Sequence, residues 1–97
     1  MPWGEFYTWS NDTYDRLAQR GLDWRLVLGV LLQAWPVYRR DLANGWTAWT
    51  GQATDGRWLT VLVGVEDSDG ARPVLDAREL TEAETAEARR LMGGSDE

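Results

Sequence analysis

Arginine, aspartate, glutamate and tyrosine are the only side chains with which this 97-residue sequence could carry out charge-based chemistry. Histidine and cysteine are both absent, which removes the commonest general acid–base group and the thiolate metal ligand. A metal site would need a cage of carboxylates, and the densest run of acids is Glu66, Asp67 and Asp69. Because its spacing matches no known calcium loop, we interpret this run as a solvated turn. The sequence therefore predicts no metal and no other cofactor.

The charge balance is acidic and uneven along the chain. The net charge is −6, and residues 54–97 carry five arginines against eleven acids, whereas residues 1–53 carry five of each. Such a balance disfavours direct DNA binding, because attraction to phosphate dominates nucleic-acid affinity; a local basic patch leaves RNA open. Neither a secretion signal at Met1–Glu5 nor an apolar run long enough to span a bilayer is visible. We expect a cytoplasmic protein without membrane association.

The elements that must position these side chains follow from caps, turns and apolar spacing in one domain over residues 1–97, with 93–97 as a frayed tail. Helices are predicted from the cap Ser10 to about Arg20, from Trp24 to about Ala34, and from Thr81 to about Met92. Strands are predicted over Glu5–Trp9, Val37–Ala43, Trp46–Ala53, Trp58–Val65 and Arg72–Arg78. Short turns between the later strands indicate an antiparallel sheet. The expected α+β fold is an antiparallel sheet of about four strands packed on two N-terminal helices and one C-terminal helix.

Local signals at the ends of these elements support the order. Gly21 is expected to end the first helix, Pro36 the second, and Asn44-Gly45 to form a hairpin turn. Thr81 and Glu84 match a capping box, in which each side chain accepts a hydrogen bond from the other residue's amide.

Apolar surface suggests an interaction partner. The second helix is apolar nearly all round, which is typical of a deeply buried helix or of a partner interface. Trp46, Trp49 and Trp58 lie on neighbouring predicted strands, where an exposed trio could stack nucleotide bases, although filling the core or an interface is the interpretation that we favour. We expect either a protein partner or a homodimer to cover the surplus apolar surface.

Four short motifs in order give the chain a family resemblance. They are Trp9-Ser10-Asn11 leading to Arg20-Gly21-Leu22, the helix entry Trp24–Val27, the strand Gly56–Val61, and the junction Ala77–Glu84. Over roughly Phe6 to Leu91 the chain resembles the BrnT-like toxins of bacterial toxin–antitoxin pairs. The resemblance implies a RelE-like fold, endoribonuclease activity that inhibits translation, and a cognate antitoxin as the partner.

Metal-independent RNA cleavage needs a base, a cation beside the phosphorane and an acid. In this sequence Glu66 or Asp76 could serve as the base if burial raised its pKa, and Tyr38 could serve as the acid if its pKa were lowered. The cations would come from Arg57, Arg78 and Arg20. Substrate contacts would add Trp58 and either Arg39 or Arg40, whose side chains lie on opposite faces of a strand. We select Arg57, Arg78 and Glu66 as candidate catalytic residues, and Arg20, Arg39 and Trp58 as candidate RNA contacts.

A second hypothesis stays open beside the toxin. Members of the family often carry histidine where this chain has Arg20, and their last helix is basic, whereas Glu82, Glu84 and Glu87 make this one acidic. These differences are consistent with a non-catalytic interaction or regulatory module on the same scaffold. For Arg57 and Arg78, a solvated turn residue and a structural ion pair are the corresponding alternatives.

Overall fold

A computed structural model describes residues 6–32 and 38–91 of the chain. Within these ranges the fold is α+β, with three helices and one five-stranded mixed sheet. The strands are β1 (Phe6–Trp9), β2 (Tyr38–Asp41), β3 (Thr47–Gln52), β4 (Trp58–Val63) and β5 (Ala71–Glu79). The helices are α1 (Asn11–Gln19), α2 (Trp24–Leu32) and α3 (Glu82–Leu91). None of these helices is long and apolar enough to cross a membrane.

The predicted order of elements is confirmed, and the end signals on described residues act as expected, while the one at Pro36 lies outside the described residues. The Ser10 side chain accepts a hydrogen bond from the Thr13 amide at 3.1 Å and caps α1, and Gly21 follows that helix with φ +69°. The Asn44-Gly45 hairpin joins β2 to β3. The expected extensions to Glu5, to 33–37 and to Met92, like the tail 93–97, lie outside the described residues.

The prediction of an antiparallel sheet of about four strands is correct for β2–β5 and wrong for β1. The strand order is β1-β5-β4-β3-β2, and β1 pairs with β5 in parallel. The reason lies in α1, which packs across β5. Its Thr13 hydroxyl donates to the Val74 carbonyl at 2.8 Å, and its Arg16 guanidinium donates to the Leu75 carbonyl at 3.0 Å. Only strands joined by short turns must be antiparallel, and a helix follows β1 instead.

The two faces of the sheet carry different layers. On the first face, Leu59, Val61 and Val63 of β4 are fully buried beneath α1 and α2. Each such side chain contributes roughly 1.5–3 kcal/mol by its removal from water. The second face carries the intervening residues of β4 and is covered in part by α3, whose Arg89 guanidinium lies 5.9 Å from the ring centre of Trp58. The core therefore fills one side, and the other side stays partly open.

Candidate functional site

An open groove of about 400 Å³ lies on the second face, between α3 and strands β2 and β3. Its floor is formed by three small residues, Ala48 and Thr50 of β3 and Thr60 of β4, of which the two threonines are paired with each other. The hydroxyls of Thr50 and Thr60 are hydrogen-bonded to each other at 3.0 Å, with either one able to donate. The floor is thus polar and already satisfied, and recognition falls to the side chains along the rims.

One rim of the groove is fixed by an ion pair between β5 and α3. The Arg78 guanidinium donates to both carboxylate oxygens of Glu84, at 2.8 and 2.9 Å. Glu84 also accepts from the Thr81 amide at 3.0 Å, while the Glu84 amide donates to the Thr81 hydroxyl at 3.2 Å. The predicted capping box is therefore confirmed, and Arg78 ties it to the sheet.

This clamp sets the ionisation of both of its partners. Hydrogen bonds from Arg78 first, and from the Thr81 amide second, lower the pKa of Glu84 to about 2. The hydrogen bonds to Glu84 raise the pKa of Arg78. A carboxylate with so low a pKa takes up a proton poorly, so Glu84 is a weak general base. The clamp acts as a structural attachment of α3.

The other rim carries an arginine without a counter-ion. The side chain of Arg40 lines the groove beside Tyr38, and among the described residues no hydrogen bond, ion pair or ring contact engages it. Its neighbour Arg39 lies on the first face, where it pairs with Asp41 at 3.0 Å and stands 5.4 Å from the ring centre of Trp49. Arg40 therefore presents its guanidinium in the groove, while Arg39 is held away from it.

The arginines selected from the sequence are each paired with a carboxylate. Arg57 pairs with Asp55 at 2.7 Å and donates to the Gly21 carbonyl at 3.4 Å, and Arg20 pairs with Asp76 at 3.1 Å. Hydrogen bonds from the amide and guanidinium of Arg57 lower the pKa of Asp55. Arg57 lies just before β4 on the side of the first face, where it donates to Gly21. It lines a separate open cavity of about 420 Å³ with Trp58 and residues of α3, and not the groove.

The remaining sequence candidates also lie outside the groove. Glu66 is exposed beyond the far end of β4, about 20 Å or more from Arg57 at 3.3 Å per strand residue. Trp58 lies partly buried on the second face under Arg89, and Trp49 lies on the first face. The structure thus does not bring Arg57, Arg78 and Glu66 together, and Trp49 and Trp58 do not form one stacking platform.

Sequence reasoning considered Arg40 and selected Arg39 in its place. The register of the hairpin distinguishes these two arginines, because it pairs Arg40 with Ala48 and Tyr38 with Thr50. Small partners leave the space above them open, whereas Arg39 is paired with the large Trp49. The register about Asn44-Gly45 could have identified the open side of β2.

Comparison with family models and with curated proteins finds no match for this chain. Within residues 6–32 and 38–91, no group of three or more carboxylates is placed to hold a metal ion.

Proposed function

We propose that this chain is a non-catalytic protein-interaction module, and that its groove binds a carboxylate side chain of a partner protein through Arg40. The observation that carries the proposal is that Arg40 stands in an open groove with no partner among the described residues, while Arg78 beside it is neutralised by Glu84. An arginine fork and a carboxylate form a short, directional pair of hydrogen bonds. Tyr38 and Leu91, 38% and 53% exposed, add apolar surface at the groove.

The charge of the molecule favours a carboxylate over RNA as the ligand. RNA binding depends on several phosphate contacts and on long-range attraction, and a protein of net charge −6 repels a polyanion. A single carboxylate needs only the local field of Arg40. The other charges at the groove, Glu84 and Glu87, are paired with Arg78 and Arg90. One arginine is therefore left for one anionic side chain.

Catalysis in the groove lacks a suitable base. Glu84 has a pKa of about 2 under Arg78, and Glu87 is solvent-exposed and paired with Arg90 at 3.6 Å. General base catalysis is most efficient when the pKa of the base lies near the working pH. Binding is consequently the activity that the groove supports best.

The test is a nuclear magnetic resonance titration of the ¹⁵N-labelled chain with N-acetylglutamate amide and, separately, with uridine 3′-monophosphate. We expect the Arg40 Nε–Hε signal to shift with the carboxylate, with a dissociation constant of roughly 10 mM for one charge-assisted pair. Arg25 is the matched control, because it is exposed on α2 and pairs with Asp23. Movement of Arg40 with the nucleotide alone, or equal movement of Arg25, would contradict the proposal.

One observation also favours a second candidate function, the toxin endoribonuclease with an antitoxin partner that the BrnT-like resemblance implies. Arg78, a cation selected from the sequence, and Tyr38, the acid considered there, line the same groove as Arg40. In this scheme a hydroxide ion from solvent takes the proton of the attacking 2′-hydroxyl, because the groove supplies no base. Arg40 and Arg78 would stabilise the phosphorane, and Tyr38 would donate a proton to the leaving oxygen.

Inducible expression in a bacterial host separates the two candidates. Growth arrest with RNA decay, relieved by Arg40→Ala and retained in Arg25→Ala, would support the toxin. Normal growth and intact RNA, with soluble folded protein confirmed, would leave the interaction module.

A further inference from the structure

The outer edge of β2 is open. This strand is the last in the order β1-β5-β4-β3-β2, and within the described residues no strand pairs with its outer side. All four of its residues are exposed. An unpaired edge offers backbone donors and acceptors to an added strand.

The register shows which backbone groups face outwards. The Leu42 amide donates to the Trp46 carbonyl at 2.8 Å, which makes this a hydrogen-bonded pair of the hairpin. Hydrogen-bonded pairs recur at every second residue of an antiparallel ladder, so Arg40 and Tyr38 direct their amides and carbonyls to β3. The amides and carbonyls of Arg39 and Asp41 then face the open edge. The side chain of Arg40 meanwhile stays on the second face, at the groove.

We infer that the partner adds an extended strand to the outer edge of β2 and sets a carboxylate side chain directly opposite Arg40; this inference rests on the proposed function of the groove. Side chains at opposed positions of paired strands lie on the same face, about 4.5–5.5 Å apart at Cβ. A residue opposite Arg40 therefore enters the groove, and the residue two positions along lies beside the exposed ring of Tyr38. The partner strand carries an acid and an apolar residue two positions apart.

A second copy of this chain does not fit the edge. The outward-facing residues Arg39 and Asp41 must pair with each other or with themselves in a symmetric antiparallel ladder. Pairing Arg39 with Asp41 of the copy sets the two Arg40 side chains opposite each other. Registers centred on Arg39 or on Asp41 oppose two Arg39 or two Asp41 side chains and set Arg40 opposite Tyr38 or Leu42. None of these three registers sets a carboxylate opposite Arg40, so a partner strand of different sequence with an acid at that position complements its charge better.

The test is selection of linear nine-residue peptides from a phage-displayed library on the immobilised full chain, with Arg40→Glu as the counter-selection target. We expect the enriched peptides to carry one acid within an alternating pattern. A synthetic copy of the best peptide should lose about tenfold or more in affinity on Arg40→Glu, and recover it when the peptide acid is replaced by lysine. Arg25→Glu is the matched control and should bind as the wild type does.

Backbone N-methylation of the same peptide separates strand addition from simple charge pairing. N-methylation at every second residue should abolish binding, and N-methylation at the intervening residues should leave it unchanged, because alternate amides donate to β2.

Equal tolerance at all positions with dependence on Arg40 would overturn strand addition and retain the carboxylate site. Binding that ignores Arg40 would overturn both. A selection without enrichment would overturn strand addition, and the Arg40 titration would still decide the groove. Since Arg40 makes no hydrogen bond or ion pair among the described residues, Arg40→Glu should fold, which circular dichroism checks.

Discussion

Replacing the cap of α3 should loosen that helix without unfolding the domain. Thr81→Ala removes the hydroxyl that accepts the Glu84 amide at 3.2 Å. Loss of such a cap costs about 1 kcal/mol. Within the described part of the chain, α3 has one buried residue, Ala88, so little packing holds the helix to the sheet once the cap is weakened. A ten-residue helix is marginal in water by itself.

The cost should appear as local opening of α3. A loss of about 1 kcal/mol makes the open form about fivefold more populated, and α3 amides should exchange with solvent about fivefold faster. Hydrogen exchange read by nuclear magnetic resonance measures this at Thr85, whose amide donates to the Thr81 carbonyl at 2.8 Å. Amides of α1 and β4 should keep their wild-type rates.

Ser10→Ala is the matched control, because it removes the same kind of cap from α1. That helix is fixed to the sheet by Leu17, 1% exposed, and by the hydrogen bond from Thr13 to Val74. Loss of the Ser10 cap should therefore lower the global Tm by about 4–8 °C, as expected for about 1 kcal/mol in a domain of this size. Unchanged exchange of α3 in Thr81→Ala, or an equal fall of global Tm in both variants, would refute the expectation that α3 opens separately from the rest of the domain.

Three further predictions concern stability and the placement of charge. The pKa of Glu84 falls from 4.5 to about 2 in the folded chain, so its contribution to the free energy of unfolding is complete above pH 4.5 and is lost as the pH falls towards 2. Urea unfolding at several pH values should show this loss, and Glu84→Gln should reduce the dependence of the free energy of unfolding on pH. Leu17→Ala should lower the free energy of unfolding by about 3 kcal/mol in urea denaturation, whereas Leu32→Ala, at a position 61% exposed, should cost well under 1 kcal/mol. Arg57→Ala should lower Tm slightly, through loss of its hydrogen bonds, and leave N-acetylglutamate amide binding unchanged in the nuclear magnetic resonance titration; a loss of binding would argue against the placement of Arg57 outside the groove.

Much of the fold could be predicted from the sequence because its signals are local. Ser10, Gly21 and the capping box of Thr81 and Glu84 act through backbone groups within a few residues. The parallel pairing of β1 with β5 could not be predicted in this way. It depends on how α1 packs across β5, and that contact joins residues far apart in the sequence.

The candidate site was harder to predict, because an arginine is available to a ligand only if no carboxylate of the folded chain neutralises it. The pairing of Arg57 with Asp55 lies within one turn and could be inferred locally, since the Asp55 carboxylate also accepts the Arg57 amide at 3.0 Å. The pairing of Arg78 with Glu84 spans a strand–helix junction and needs the direction of α3. Arg40 is distinguished by having no such partner among the described residues, which becomes visible only when the neighbouring elements are in place.

The most direct test of the central claim compares the wild type with Arg40→Gln in a titration with N-acetylglutamate amide, followed through the amide signals of Tyr38 and Thr50. Arg40→Gln keeps a polar side chain and removes the charge. We expect saturating shifts in the wild type and no saturable shift in the variant. Equal titration curves for the two proteins would contradict the claim that Arg40 makes this groove a carboxylate-binding site.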